Sequence, residues 1–124
     1  KDYPMEEMVP YIVKRDKKTA SFLVAIAKKE SDWGKHSPSK NGKHCYNYWG
    51  YKGGYNLTHS GYSCFDSAEQ AVEVVGDRIE NLIEKKIDTP QKMLVWKCGS
   101  ACAGDGGAAS WVGAVSGYFY ELVS

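Results

Sequence analysis

The chain has no apolar run approaching the roughly 20 residues that a membrane-crossing helix needs, so no spanning segment is expected. It has neither a Cys-x-x-Cys pair nor a clustered Cys/His pair, which disfavours zinc, and no metal or other cofactor is expected. It lacks an Arg cluster and any nucleic-acid-binding motif, and its basic residues fall mostly as Lys pairs on helix flanks, so nucleic acid is not an expected partner. No internal repeat, linker or low-complexity tract divides the 124 residues. Residues 1–124 therefore read as one domain and a monomer, long enough to bury a core without subunit or metal support. The chain opens on Lys1-Asp2-Tyr3-Pro4 and not on a signal sequence, and reads as a mature secreted domain, extracellular or periplasmic.

Four cysteines, Cys45, Cys64, Cys98 and Cys102, form an even set in a small chain, as expected for two disulfides in an oxidising compartment. Three pairings are possible. The local ones, Cys45–Cys64 around the Gly- and Tyr-rich middle and Cys98–Cys102 around a short turn, are preferred. The formal net charge is +1, but it is unevenly spread. Residues 1–62 carry 11 Lys/Arg against 6 Asp/Glu, and residues 63–124 carry 5 against 9. A basic first half suits an anionic polymer such as bacterial cell wall, and a solvated helix face explains it equally well.

The pattern is mainly helical. Pro4 to about Lys14 predicts a short helix with Asp2 as a possible cap, Met5, Met8, Val9 and Ile12 as its apolar face, and a kink or split at Pro10. Asp16 to Thr19 caps a second helix through Phe22, Leu23, Ile26 and Ala27 to Glu30, with Gly34 as its stop. Residues 35–65 alternate Gly with Tyr and Trp, which predicts turns, short strands and a small hairpin. Ser67-Ala68-Glu69-Gln70 has the form of a capping box opening the longest helix, to about Lys86. Thr89-Pro90 opens another through Met93, Leu94 and Trp96. Ser110 caps the last, whose face is Trp111, Val115, Tyr118, Phe119 and Leu122.

One residue breaks this pattern. Glu30 lies one turn after Ile26 and about two after Phe22, so its carboxyl shares the apolar stripe of the second helix. It also sits in the last turn, at the negative end of the helix dipole and near Asp32. These surroundings favour the neutral acid that a general acid needs. A salt bridge to Lys28, Lys29 or a distant Arg is the ordinary alternative. Around it, Trp49, Tyr51, Tyr55 and Tyr62 offer rings on which sugar C–H faces stack, with Asn47 and the backbone near Gly50 as hydrogen-bonding groups. About half of these rings are expected to be structural, and Trp33, Trp96 and Trp111 to be buried. His36, His44 and His59 read as surface residues.

The segment Ala25-Ile26-Ala27-Lys28-Lys29-Glu30-Ser31-Asp32-Trp33-Gly34 resembles the catalytic-glutamate helix of the lysozyme superfamily, in particular soluble lytic transglycosylases and bacterial cell-wall glucosaminidases. Asn47-Tyr48-Trp49-Gly50-Tyr51-Lys52-Gly53 is similar to the glucosaminidases' Asn-x-Phe-Gly-x-Lys-Gly segment, and Cys64 to Ala71 to the start of their next helix. The resemblance covers roughly residues 20–85. It implies a lysozyme-like α+β fold, mainly α with a small hairpin, and a glycosidase that cuts β-1,4 bonds of peptidoglycan glycan strands with Glu30 as acid and base. It implies a sugar groove that includes Tyr48, and a Tyr from the last helix, best matched by Tyr118, approaching the acid. Two-carboxylate cleavage needs a second group about 5 to 9 Å away. Asp66, Asp32 and Glu69 are the candidates, each with an ordinary explanation as a cap or helix-end charge. The Gly-Leu-Met-Gln run of transglycosylases is absent, and no clear second carboxylate stands between Gly53 and Cys64. Without one, the substrate's N-acetyl group or 6-hydroxyl attacks the anomeric carbon. The alternatives are an endo-N-acetylglucosaminidase on peptidoglycan or chitin, and a catalytically inactive wall-binding or inhibitor module.

Overall fold

A computed structural model describes residues 3–54 and 56–124. A 3₁₀ turn, Pro4–Met8, runs into a short helix α1 (Val9–Ile12), so Pro10 splits the first element. Met5, Met8 and Ile12 face inward as expected, whereas Val9 is 48% exposed. The possible Asp2 cap lies outside the described residues.

Helix α2 (Lys17–Ser31) is the centre of the molecule. Asp16 caps it, its carboxylate accepting from the Thr19 N–H at 3.2 Å and from the Thr19 hydroxyl at 2.7 Å. Phe22, Leu23, Ala25, Ile26 and Ala27 are all fully buried, a wider band than a surface helix shows, because packing closes on it from more than one side. The helix stops where Asp32, Trp33 and Gly34 take left-handed φ values of 51°, 54° and 97°. The hairpin β1 (Ser39–Lys40) and β2 (Lys43–His44) turns at Asn41-Gly42, both left-handed, as a two-residue hairpin requires.

Helix α3 (Ala68–Glu84) is the longest, and Ser67 caps it by accepting the Gln70 N–H at 3.1 Å. The Gln70 amide reaches back to the Asp66 N–H at 2.7 Å, one residue beyond the usual partner in a capping box. Arg15 pins the turn before α2 to α3, donating to Asp77 at 2.8 Å and the Glu73 carbonyl at 3.1 Å, and pairing with Glu80 at 3.1 Å. Thr89 accepts the Lys92 N–H and starts a 3₁₀ turn, Lys92–Leu94, that passes into α4 (Val95–Cys98). The last helix, α5 (Ala108–Val123), begins after Gly107, two residues before Ser110, which is therefore not its cap. It packs chiefly against α2, with Phe119 stacked on Phe22 at 4.1 Å; Leu122 is 41% exposed, off the buried face.

Both local cysteine pairs are bridged, Cys45–Cys64 and Cys98–Cys102. The fold is mainly helical, with five helices and one two-stranded hairpin among the described residues. None of these helices is long and apolar enough to cross a membrane.

Candidate active site

The site is built where the end of α2 meets the loop between the hairpin and α3. Asn47 organises that loop. Its side chain is fully buried and spends both donors on the Tyr51 and Ser63 carbonyls, at 2.9 and 2.8 Å. Its oxygen accepts from the Trp49 and Tyr51 N–H groups, at 3.3 and 3.1 Å. An amide has two N–H donors and one acceptor oxygen with two lone pairs, so nothing is left for a ligand. Asn47 is a scaffold for the loop and not the hydrogen-bonding group for sugar that its motif suggested.

The four tryptophan N–H groups each find an oxygen. Trp33 and Trp49 donate to the Val24 and Leu23 carbonyls of α2, at 2.9 and 2.8 Å. Trp96 donates to the Trp49 carbonyl, next to Gly50, at 2.8 Å, tying α4 to the loop. Trp111, from α5, donates to Glu30 Oε2 at 2.8 Å. Glu30 therefore makes no salt bridge to Lys28, Lys29 or an Arg. Lys28 instead meets Asp32 at 2.5 Å; that contact, chiefly, holds the Asp32 carboxyl below the usual carboxylate range.

The other oxygen of Glu30 faces Gly50. Gly50 has φ 63°, and a Cβ built there would stand 3.1 Å from Glu30 Oε1. The loop can pass this close to the carboxyl because position 50 carries no side chain. Gly53 answers to space as well: a Cβ there would meet the Tyr51 ring at 2.2 Å.

Two open cavities meet at Glu30, Gly50 and Tyr62, and together they form one groove with Glu30 at its middle. The first, about 400 Å³, is walled by Tyr51, Trp96 and Trp111 and by the basic residues Lys29, Lys52, Arg78 and Lys97. Tyr51 stacks on Trp96 at 5.7 Å, and Lys52 lies over the Tyr62 ring at 5.0 Å. The second, about 350 Å³, is walled by hydroxyls and imidazoles, among them Ser37, Ser39, Thr58, Ser60, His36 and His59. Glu30 is the single carboxyl among the described residues lining either half.

Glu30, Gly50, Tyr51 and Tyr62 are thus brought together, with Asn47 behind the second half of the groove, and the remaining expected site residues are not. Tyr48 and Trp49 are fully buried, so neither lines the groove. The Tyr48 ring packs under Gly34, its hydroxyl lies 2.8 Å from His44 Nε2, and burial pushes its phenol upward. His44 is accordingly half-buried against Tyr48 and not a freely exposed residue. Tyr118 does not reach Glu30; it packs edge-on against Trp33 at 5.5 Å, and Trp111 stands where the aromatic partner was expected. Asp66 pairs with Lys43 at 3.5 Å outside both cavities, and neither Asp32 nor Glu69 lines them. Tyr55 lies outside the described residues.

The basic wall was foreseen only in part. Lys29 and Lys52 carry a faint signal in the positive first half of the sequence, whereas Arg78 and Lys97 come from the acidic half and only the fold places them here. Among the described residues no group of three or more His, Cys, Asp or Glu gathers as a metal site. Comparison with protein-family models, curated proteins and solved structures returns no match.

Proposed function

We propose that this domain is a lysozyme-like glycosidase that cuts β-1,4 bonds in the glycan strands of peptidoglycan, with Glu30 as its general acid and base. The observation that carries the reading is a single carboxyl, held by an indole N–H, at the middle of an open groove lined with aromatic rings and hydroxyls. Trp111 engages Oε2 and fixes the rotamer, which leaves Oε1 as the oxygen that exchanges a proton with substrate. The aromatic wall of Tyr51, Trp96 and Tyr62 offers apolar surface to sugar rings. Two disulfides suit an oxidising, extracellular or periplasmic setting.

A lone acid favours attack from within the substrate, the route that the resemblance to lytic transglycosylases implies. Glu30 gives its proton to the bridging oxygen as the C1–O4 bond breaks. The 6-hydroxyl of the same sugar then bonds to C1 and returns its proton to Glu30. The product is a 1,6-anhydro sugar, no water is consumed, and the acid is regenerated.

Mass spectrometry of soluble products from purified peptidoglycan, treated with wild type and with Glu30→Gln, tests this. Anhydro-ended fragments that vanish in the variant are expected. Reducing N-acetylmuramic acid ends mean water attacks instead, and reducing N-acetylglucosamine ends mean the other linkage is cut. Equal release by both proteins, or none, overturns the assignment of Glu30 and leaves an inactive wall-binding or inhibitor module.

A further inference from the structure

The two halves of the groove differ in charge. The first gathers Lys29, Lys52, Arg78 and Lys97 around the lone carboxyl of Glu30, whereas the second has no Lys or Arg among its described lining residues. The four cations come from α2, the glycine-rich loop, α3 and α4. A solvated helix face explains charges along one element; it does not explain four separate elements each turning a cation into one cavity. Lys97 is matched by Asp105 at 3.0 Å, and no such partner serves the other three among the described residues. The acids flanking Arg78 on α3, Asp77 and Glu80, are taken by Arg15, and among the described residues Arg78 itself makes only a 3.4 Å contact to Asn81. Its guanidinium fork is left for a planar anion. Clustered like charges repel, and an anionic ligand relieves that repulsion.

We infer that this half of the groove is a carboxylate-binding subsite for the acidic branches of the glycan, the carboxylates of its peptides or, on a sugar without a peptide, the lactyl carboxylate, placed beside the bond that Glu30 addresses. The substrate is then an acidic peptidoglycan strand and not neutral chitin. The inference rests on the glycosidase reading for the bond that is cut, but not for the binding.

The test is therefore binding to Glu30→Gln, which holds ligand without turnover. Three soluble oligosaccharides of equal length serve as probes: a peptide-bearing strand, the same strand stripped to its lactyl carboxylates by an amidase, and a chitin oligomer. The peptide-bearing strand is expected to bind about tenfold more tightly than chitin, the preference shrinking to about twofold when salt shortens the screening length. Adding Lys29→Gln, Lys52→Gln and Arg78→Gln removes the preference. The stripped strand, whose lactyl carboxylate is freed only when the amide to the peptide is cut, tells the two sources apart: binding like the full strand means that the subsite takes a carboxylate from either branch, and binding like chitin assigns the peptide carboxylates alone. Equal affinity for all three probes, or a preference that neither salt nor the triple substitution moves, overturns the subsite. Cleavage by wild type is scored separately. Cleavage without preference sinks the subsite alone, and preference without cleavage sinks the glycosidase alone.

Discussion

Trp111 donates its indole N–H to Glu30 Oε2 at 2.8 Å, and this contact follows from how α5 lies on α2. Phe22, eight residues before Glu30, stacks on Phe119, eight residues after Trp111. The helices run antiparallel in a register fixed by the phenylalanine stack, and that register delivers the indole to the carboxyl. Trp111 is almost wholly buried, so its ring and its N–H act together as a rigid mount.

Trp111→Phe keeps an aromatic ring and loses the donor. Fragment release from peptidoglycan is expected to fall by about ten- to a hundredfold, the scale of a misplaced catalytic group. Stability falls by about 1–3 kcal/mol, from the smaller ring in a closed site. Tyr118→Phe is the control: it keeps the edge contact with Trp33, and release should stay within about twofold of wild type.

Gly50→Ala places a methyl group at φ 63° and 3.1 Å from Glu30 Oε1. The left-handed backbone costs about 1–2 kcal/mol, and the methyl crowds Oε1, so that the carboxyl must shift away from its place in the groove. The variant should unfold at a slightly lower denaturant concentration and lose most of its activity, with an unchanged circular dichroism spectrum. Full activity would mean that Glu30 tolerates another rotamer in its working state.

Asn47→Asp exchanges two N–H donors for an acceptor that faces the Tyr51 and Ser63 carbonyls in a fully buried site. Each buried group left unpaired costs about 1–3 kcal/mol, and like poles now oppose each other. A shift of several kcal/mol in urea unfolding is expected, far more than for loss of a ligand contact. A variant as stable as wild type would remove Asn47 from its scaffold role.

What was legible in the sequence was local. The Asp16 and Ser67 caps, a small hairpin within residues 35–65 and the sequence-adjacent cysteine pairs all depend on residues near one another in the chain. The choice between Trp111 and Tyr118 was not of that kind. They are seven residues apart, nearly the same face of a helix and about 10 Å along its axis, so periodicity ranks them equally. Only the register of α5 on α2 separates them. The Asn47 to Gly53 segment misled for a related reason. Its pattern marks a loop that wraps tightly, and tight wrapping buries Tyr48 and Trp49 while leaving Tyr51 at the cavity. The basic wall is assembled from four elements, and only its Lys29 and Lys52 belong to the positive half of the sequence.

The two disulfides should differ in what they contribute. Cys45–Cys64 closes a separation of 19 residues and Cys98–Cys102 one of 4. On the loop-entropy account these correspond to about 3 and about 2 kcal/mol. Cys45→Ala/Cys64→Ala should lower the unfolding midpoint more, and should also lower activity, because the bridge ties the loop that carries Gly50. Cys98→Ala/Cys102→Ala should leave the loop in place.

The Asp16 cap adds a pH dependence. Partial desolvation raises the Asp16 pKa, but the hydroxyl and N–H of Thr19 bond its charged form and carry the net shift below 3.8. A carboxylate depressed in the folded state stabilises it above its unfolded pKa, and that contribution is lost as pH falls through the folded value. Asp16→Ala should therefore cost about 1 kcal/mol at neutral pH, the usual value of a helix cap, with the gap narrowing once pH drops below 3.8. Urea unfolding of both proteins across that range measures it. A gap that stayed constant into acid would mean that the neutral carboxyl caps the helix as well as the charged one does, and that the Asp16 charge contributes nothing to holding the start of α2.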